Sequence, residues 1–160
     1  MAKMLSEQNL KKLEELKKRY PTTKALLLPV LWMAQEQFGW ISLDTMKYVA
    51  DLLNLPFHHV YGVVTFYTMF NSKPIGKYHI QVCTNVSCML RGAENIRDHI
   101  CRRLNVGINE TTPDRTFTVT EVECLGSCGT APMVQVNNDE YYDNLNLEKV
   151  NKLLEDWSKK

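Results

Sequence analysis

Two close pairs of cysteines constrain this chain more than any other feature. They stand in "CTNVSC" (Cys83, Cys88) and "CLGSCGTAP" (Cys124, Cys128), with a helix and a strand pattern between them. If the four thiols serve one purpose, the fold must bring two loops that are distant in sequence to one place. Disulfides, zinc, a redox dithiol and an iron–sulfur cluster each make that demand.

The chain around them reads in two parts. Ser6 can cap a helix carrying Leu10, Leu13, Leu16 and Tyr20 at near-helical spacing, ending at Pro21. Thr22 or Thr23 can start a second helix, which Pro29 should kink unless it falls in the first turn, and Gly39 ends it. Ser42 opens a third with a stripe of Met46, Val49, Leu52 and Leu53, and Pro56 fits the first turn of a short fourth. The pattern then changes. Tyr78, Ile80 and Val82 alternate with His79 and Gln81, as a half-buried strand requires. Ala93, Ile96, Ile100 and Leu104 mark an amphipathic helix closed by Gly107, and "TFTVTEVE" is a second strand leading into Cys124. "MVQVNN" and "EYYDN" read as a hairpin, and "NLEKVNKLLEDWSKK" as a final helix. The expected architecture is an α+β chain: a helical region over 1–72, then a compact strand–helix–strand–strand–helix domain over 73–160. Both cysteine pairs fall in loops at strand ends, where α/β folds commonly build their sites.

Composition narrows the function. With 160 residues the chain needs no disulfide to fold, and a net charge of +1 lacks the basic excess of a general nucleic-acid binder. The N-terminus is polar from the start, and the most apolar run, Ala25–Ala34, contains Pro29 and is too short to span a bilayer. The expectation is a cytoplasmic protein with no direct membrane insertion, in which cysteine pairs serve as metal ligands or redox thiols. A thioredoxin-type dithiol uses C-x-x-C, which neither pair matches, and a Rieske centre needs two histidines that neither motif contains. Zinc accepts gaps of two to four residues, although zinc ribbons favour C-x2-C knuckles. A [2Fe–2S] cluster takes four thiolates, two on each iron, and Gly126 and Gly129 let backbone N–H groups approach its sulfurs. The residues by themselves leave iron–sulfur and zinc both open.

The remaining candidates have plain readings. Cys101 lies at the edge of an apolar helix face, where an inert buried thiol is the default. His58, His59, His79 and His99 have no partners at metal-ligand spacing. The chain contains neither G-x-G-x-x-G nor G-x-x-x-x-G-K-[ST], so nothing in it marks a site for NADH or a flavin. The aromatics of "VYGVVTFYTMF" have core packing as their plain reading, but "FGWIS" and "FYTMF" carry more aromatic surface than a small helical bundle easily hides, which points to a partner surface for some of them.

Taken together, "CTNVSC", "CLGSCGTAP", "VYGVVTFYTMF" and "AQEQFGWIS" resemble the small [2Fe–2S] subunit family of NADH:quinone oxidoreductase, respiratory complex I. The likeness runs over essentially the whole chain. It implies a thioredoxin-like ferredoxin domain behind a helical N-terminal region, with one [2Fe–2S] cluster on Cys83, Cys88, Cys124 and Cys128. It also implies a flavin-bearing, NADH-oxidising partner subunit, which would carry the FMN and bind the NADH. The pair would form the electron-input module in the hydrophilic arm, peripheral to the inner membrane, and the chain would be inactive alone. Related subunits of NAD-linked hydrogenases and formate dehydrogenases share the motifs, and a zinc-stabilised interaction module is the reading from a different class.

Overall fold

The computed structural model describes residues 4–159, in two compact units divided between Pro74 and Ile75. Among the described residues no helix is long and apolar enough to cross a membrane.

The first unit is helical: α1 (Glu7–Lys17), a 3-10 turn (Thr23–Leu26) running into α2 (Leu27–Phe38), α3 (Leu43–Leu53) and α4 (Phe57–Phe66). Side-chain caps open three of these segments. Ser6 accepts from the Asn9 N–H, Thr22 from Ala25 and Ser42 from Thr45, satisfying donors that a helix start leaves unpaired. Pro29 falls in the first turn of α2, where its missing N–H costs nothing, so no kink is needed. Gly39 ends α2 at φ 82° and Asn54 ends α3 at φ 51°. Two expectations shift. Helix α1 stops at Lys17, leaving Tyr20 outside it and exposed, because the residue before Pro21 disfavours helical backbone. Pro56 stands just before α4 as its cap residue. Val30, Leu31, Ile41, Met46, Val49, Leu53, Val60 and Val64 fill the core. Gln35 ties the last segment to it, donating to the Met69 carbonyl at 2.8 Å and accepting from the Asn71 N–H at 2.6 Å.

The second unit holds β1 (Tyr78–Cys83), α5 (Val86–Leu90), α6 (Ala93–Leu104), β2 (Glu110–Thr111), β3 (Phe117–Val122), β4 (Val134–Val136), β5 (Glu140–Tyr142) and α7 (Leu147–Ser158). The sheet order is β2-β3-β1-β4-β5; β1 and β3 are parallel and every other pair is antiparallel. Ile80, Val82, Phe117, Val119, Val134 and Val136 pack with Ile96 and Ile100 of α6 and Val150, Leu154 and Trp157 of α7. Tyr78 stacks on Trp157, ring centroids 5.4 Å apart. Gly76 is required where it stands, since a Cβ there would lie 2.8 Å from the Phe117 backbone. Helix α6 ends earlier than expected: Asn105 takes the left-handed cap at φ 52°, and Gly107 lies beyond it.

The half-buried reading of β1 is corrected. His79 and Gln81 are each only 3% exposed, because β1 is the central strand with neighbours on both sides. Gln81 exchanges hydrogen bonds with Asn138, donating at 2.6 Å and accepting at 3.0 Å. His79 Nε2 meets the Thr120 hydroxyl at 2.9 Å, while its Nδ1 is buried with no hydrogen-bond partner. Burial disfavours the imidazolium and lowers the His79 pKa from 6.5 to about 4. The unfolded chain therefore takes up a proton before the folded one does, and stability falls as pH drops from 6.5 through about 4. The shift corresponds to about 3 kcal/mol. Urea unfolding at a series of pH values should show this acid limb in the wild type and a flatter one in His79→Gln; identical limbs would remove His79 as its source.

Candidate iron–sulfur centre

Each cysteine pair takes its place from the strand that precedes it. Cys83 is the last residue of β1, and Asn85 then caps α5, its Oδ1 accepting from the Val86 N–H at 2.9 Å. That short helix carries Cys88. β3 ends at Val122, in register with Cys83, and Cys124 follows two residues later. Parallel pairing thus releases both cysteine loops from one edge of the sheet.

Side chains tie the loops together there. The Thr84 hydroxyl donates to Glu121 Oε1 and Asn85 Nδ2 to Glu123 Oε2, both at 2.7 Å. Nothing in the sequence motifs singled out Thr84, Asn85, Glu121 or Glu123. Their pairing depends on the β1–β3 register, and spacing along the chain does not carry it.

The four thiols differ in setting. Cys83 and Cys88 are each 2% exposed and pack with Ala93, Ala131, Met133 and the flanking Leu125, whereas Cys124 and Cys128 are exposed. Cys124 Sγ and Cys128 Sγ lie 3.5 Å apart, and the Gly126 N–H points at Cys124 Sγ from 3.4 Å. Burial pushes the Cys88 thiol up to about 11, reinforced by its hydrogen bond to Cys83 and by the nearby sulfurs of Cys83 and Cys128 and opposed by Met133 backbone donation. Cys88 thus lies within electrostatic reach of Cys83 and Cys128, and Cys128 Sγ adjoins Cys124 Sγ. Cys101 is not among them. It is half-buried against the α6 side of the core, its thiol also pushed up by burial. The histidines stay apart as well; His99, for instance, bonds Asn151 at 2.8 Å.

This donor set fits a [2Fe–2S] cluster. Two thiols on each of two loops are what a two-iron group takes. Gly126 needs its glycine for φ 83°, and the space a Cβ would fill at Gly126 and at Gly129 is open. That space faces no side chain, so a backbone donor can approach a sulfur unobstructed.

In the metal-free chain, brief native alkylation with iodoacetamide is expected to label Cys124 and Cys128 well ahead of Cys83 and Cys88, as peptide mapping would report. Equal labelling of all four would show that the inner pair is not shielded.

The thioredoxin-like [2Fe-2S] ferredoxin family model matches residues 13–158. The E-type chain of the NADH-quinone oxidoreductase of Rickettsia prowazekii (strain Madrid E) is 47% identical over 154 residues, spanning 94% of this chain and 86% of that one. An E-type chain of the NADH-quinone oxidoreductase of Rhizobium meliloti (strain 1021) is 42% identical over 137 residues, with 86% and 81% covered. An NAD+-reducing [NiFe]-hydrogenase solved in the H2-reduced state shares the fold over 88% of this chain, with a TM-score of 0.75 at 19% identity. This chain spans 23% of that hydrogenase chain. The match across both units, with all four motif cysteines inside it, establishes that the chain belongs to the thioredoxin-like [2Fe-2S] ferredoxin family.

Proposed function

We propose that this chain is the [2Fe–2S] electron-transfer subunit of the NADH-oxidising module of an NADH:quinone oxidoreductase, with Cys83, Cys88, Cys124 and Cys128 as the cluster ligands. The observation that carries this reading is the emergence of both cysteine loops at one end of the parallel β1–β3 pair, in a chain 47% identical to the E-type chain of such an enzyme. When bound, the cluster supplies one-electron transfer. The protein's own residues hold it: β1 and β3 aim the loops, the apolar wall of Ala93, Ala131 and Met133 shields the inner pair, and the Gly126 N–H offsets thiolate charge. The NAD-linked hydrogenase and formate dehydrogenase readings are weaker, since the hydrogenase likeness rests on fold at 19% identity.

The second element of the proposal is a flavin-bearing, NADH-oxidising partner docked on the helical unit, with the assembly peripheral to the membrane. Hydride transfer is two-electron chemistry requiring nicotinamide and flavin, and this chain carries no nucleotide fingerprint. Helix α4 supports the docking surface. Phe57, Tyr61 and Phe66 stand 39%, 45% and 76% exposed on it, with Tyr67 beside Phe66. Gly62 sits among them at mid-helix, where glycine costs about 1 kcal/mol relative to alanine. A Cβ at Gly62 would meet nothing within 4 Å, so packing inside this chain does not demand the glycine. Close approach of the proposed partner's surface would account for it.

Serine substitution tests the ligands. Each of Cys83→Ser, Cys88→Ser, Cys124→Ser and Cys128→Ser should lose the cluster or change its visible and EPR spectra, while Cys101→Ser keeps both. An unchanged spectrum in any of the four removes that residue from the set. For docking, Phe66→Asp should leave the visible spectrum intact and abolish co-purification with the flavoprotein; full retention of the partner would place the interface elsewhere.

A further inference from the structure

The Cys124–Cys128 loop poses a physical problem. Both thiols are exposed, the segment between β3 and β4 has only one short 3-10 turn (Cys128–Thr130), and yet the two sulfurs are held 3.5 Å apart. The apolar wall around Cys83 and Cys88 takes Leu125, Ala131 and Met133 from the segment between β3 and β4, but includes neither thiol of that segment.

Beyond the packing of Leu125 on that wall, the polar ties to the second loop come from the segment after β4. The Tyr141 hydroxyl donates to the Leu125 carbonyl at 3.0 Å, one residue beyond Cys124. The Ser127 hydroxyl, one residue before Cys128, donates to Asp143 Oδ1 at 3.0 Å. The Thr130 hydroxyl lies 2.6 Å from Ser127 Oγ and 3.2 Å from the Ser127 carbonyl. With Asp143 accepting from Ser127, the shorter contact makes Thr130 the donor to Ser127 Oγ, a hydroxyl relay that ends on the carboxylate. Backbone bonds complete the attachment: Asn144 N–H to the Thr130 carbonyl at 2.7 Å and Leu145 N–H to the Pro132 carbonyl at 3.0 Å. Each ligand-bearing half of the loop is thus anchored once by a side chain from Tyr141–Asp143.

We propose that Tyr141 and Asp143 are positioning residues for the cluster, bracing the loop so that Cys124 and Cys128 present both sulfurs in the geometry one iron needs. The proposal rests on the assignment of Cys124 and Cys128 as ligands. Partners that hold metal ligands in place typically govern metal retention by tenfold or more. Tyr141→Phe deletes the tie at Leu125 and keeps the ring. Asp143→Ala ends the hydroxyl relay in an unpaired Ser127. Asp143→Asn keeps an acceptor for Ser127 and removes the charge, which makes it the conservative rescue.

The test uses the full-length chain, purified anaerobically with its cluster. Iron content, EPR spectrum and the rate of bleaching by a chelator are measured for Tyr141→Phe, Asp143→Ala, Asp143→Asn and Cys124→Ser. Arg103→Ala, which breaks the 2.8 Å ion pair with Glu155 toward the C-terminal end of α6, serves as a control for general loosening. Tyr141→Phe and Asp143→Ala should bleach about tenfold faster than the wild type or more, with altered EPR line shape. Asp143→Asn should stay near the wild-type rate, as should Arg103→Ala. Wild-type bleaching and EPR in both Tyr141→Phe and Asp143→Ala overturn the brace, and so does equal acceleration in Arg103→Ala. If Asp143→Ala does not fold, Tyr141→Phe and Asp143→Asn decide alone: wild-type behaviour in Tyr141→Phe, or an Asp143→Asn that bleaches about tenfold faster, overturns the proposal. A Cys124→Ser protein with wild-type iron and spectrum defeats the ligand assignment itself. Loss of cluster in Cys124→Ser beside unaffected brace variants defeats only the brace.

Discussion

The parallel pairing of β1 with β3 is the constraint on which the rest of this protein depends. In a parallel pair both strands end at the same edge, so the loops after Cys83 and after Val122 emerge side by side. An antiparallel pairing of the same two strands would send the cysteine pairs to opposite edges. The cost of parallel pairing is a crossover, supplied by α6, whose Ile96 and Ile100 bury against the sheet they span. Ala93, at the start of the same helix, closes the wall beside Cys83 and Cys88. One connection thus stabilises the sheet, sets the loop convergence and lines the inner pair.

How much of this could be read from residues follows from the range of each determinant. Helix starts were legible because Ser6, Thr22 and Ser42 act on donors three residues away. The cysteine pairs stood out because residue type and short spacing are local, and the strand patterns before them fixed where their loops begin. The burial of His79 and Gln81 was not, because alternation along one strand carries no information about neighbours on either side of it. The end of α6 was misplaced for a related reason. Asn105 and Gly107 both accept left-handed backbone, and the choice between them is made where α6 packs. Nothing in "TFTVTEVE" marks Glu121 or Glu123, and only the register with β1 gives them Thr84 and Asn85 to hold.

Electrostatics adds a cost that the fold has to meet. On the proposed ligand set, four thiols would lose their protons to bind the cluster, and burial beside other sulfurs raises the Cys88 thiol against that loss. The carboxylates of Glu121, Glu123 and Asp143 stand around the same edge and add negative charge to an already anionic site. Of the nearby positive charge, Arg97 is engaged with Asp98 at 2.8 Å and Glu121 at 3.3 Å. Backbone donors such as the Gly126 N–H must then carry much of the compensation, and they do so only while the loop holds its shape.

That dependence gives the glycines and the hydroxyl relay a common logic. Glycine at 126 is needed for its φ, and it leaves the N–H free to face a sulfur, but it also removes the side chain that would have anchored the loop. A loop made accessible to a cluster on one side has to be held from the other. Tyr141 in β5 and Asp143 just after it reach the loop, and they do so through the carbonyl of Leu125 and the hydroxyl of Ser127, leaving the Gly126 N–H to face a sulfur. Loop flexibility, cluster charge and the placement of polar anchors are therefore one problem, solved where the strand edge meets the segment leading into α7.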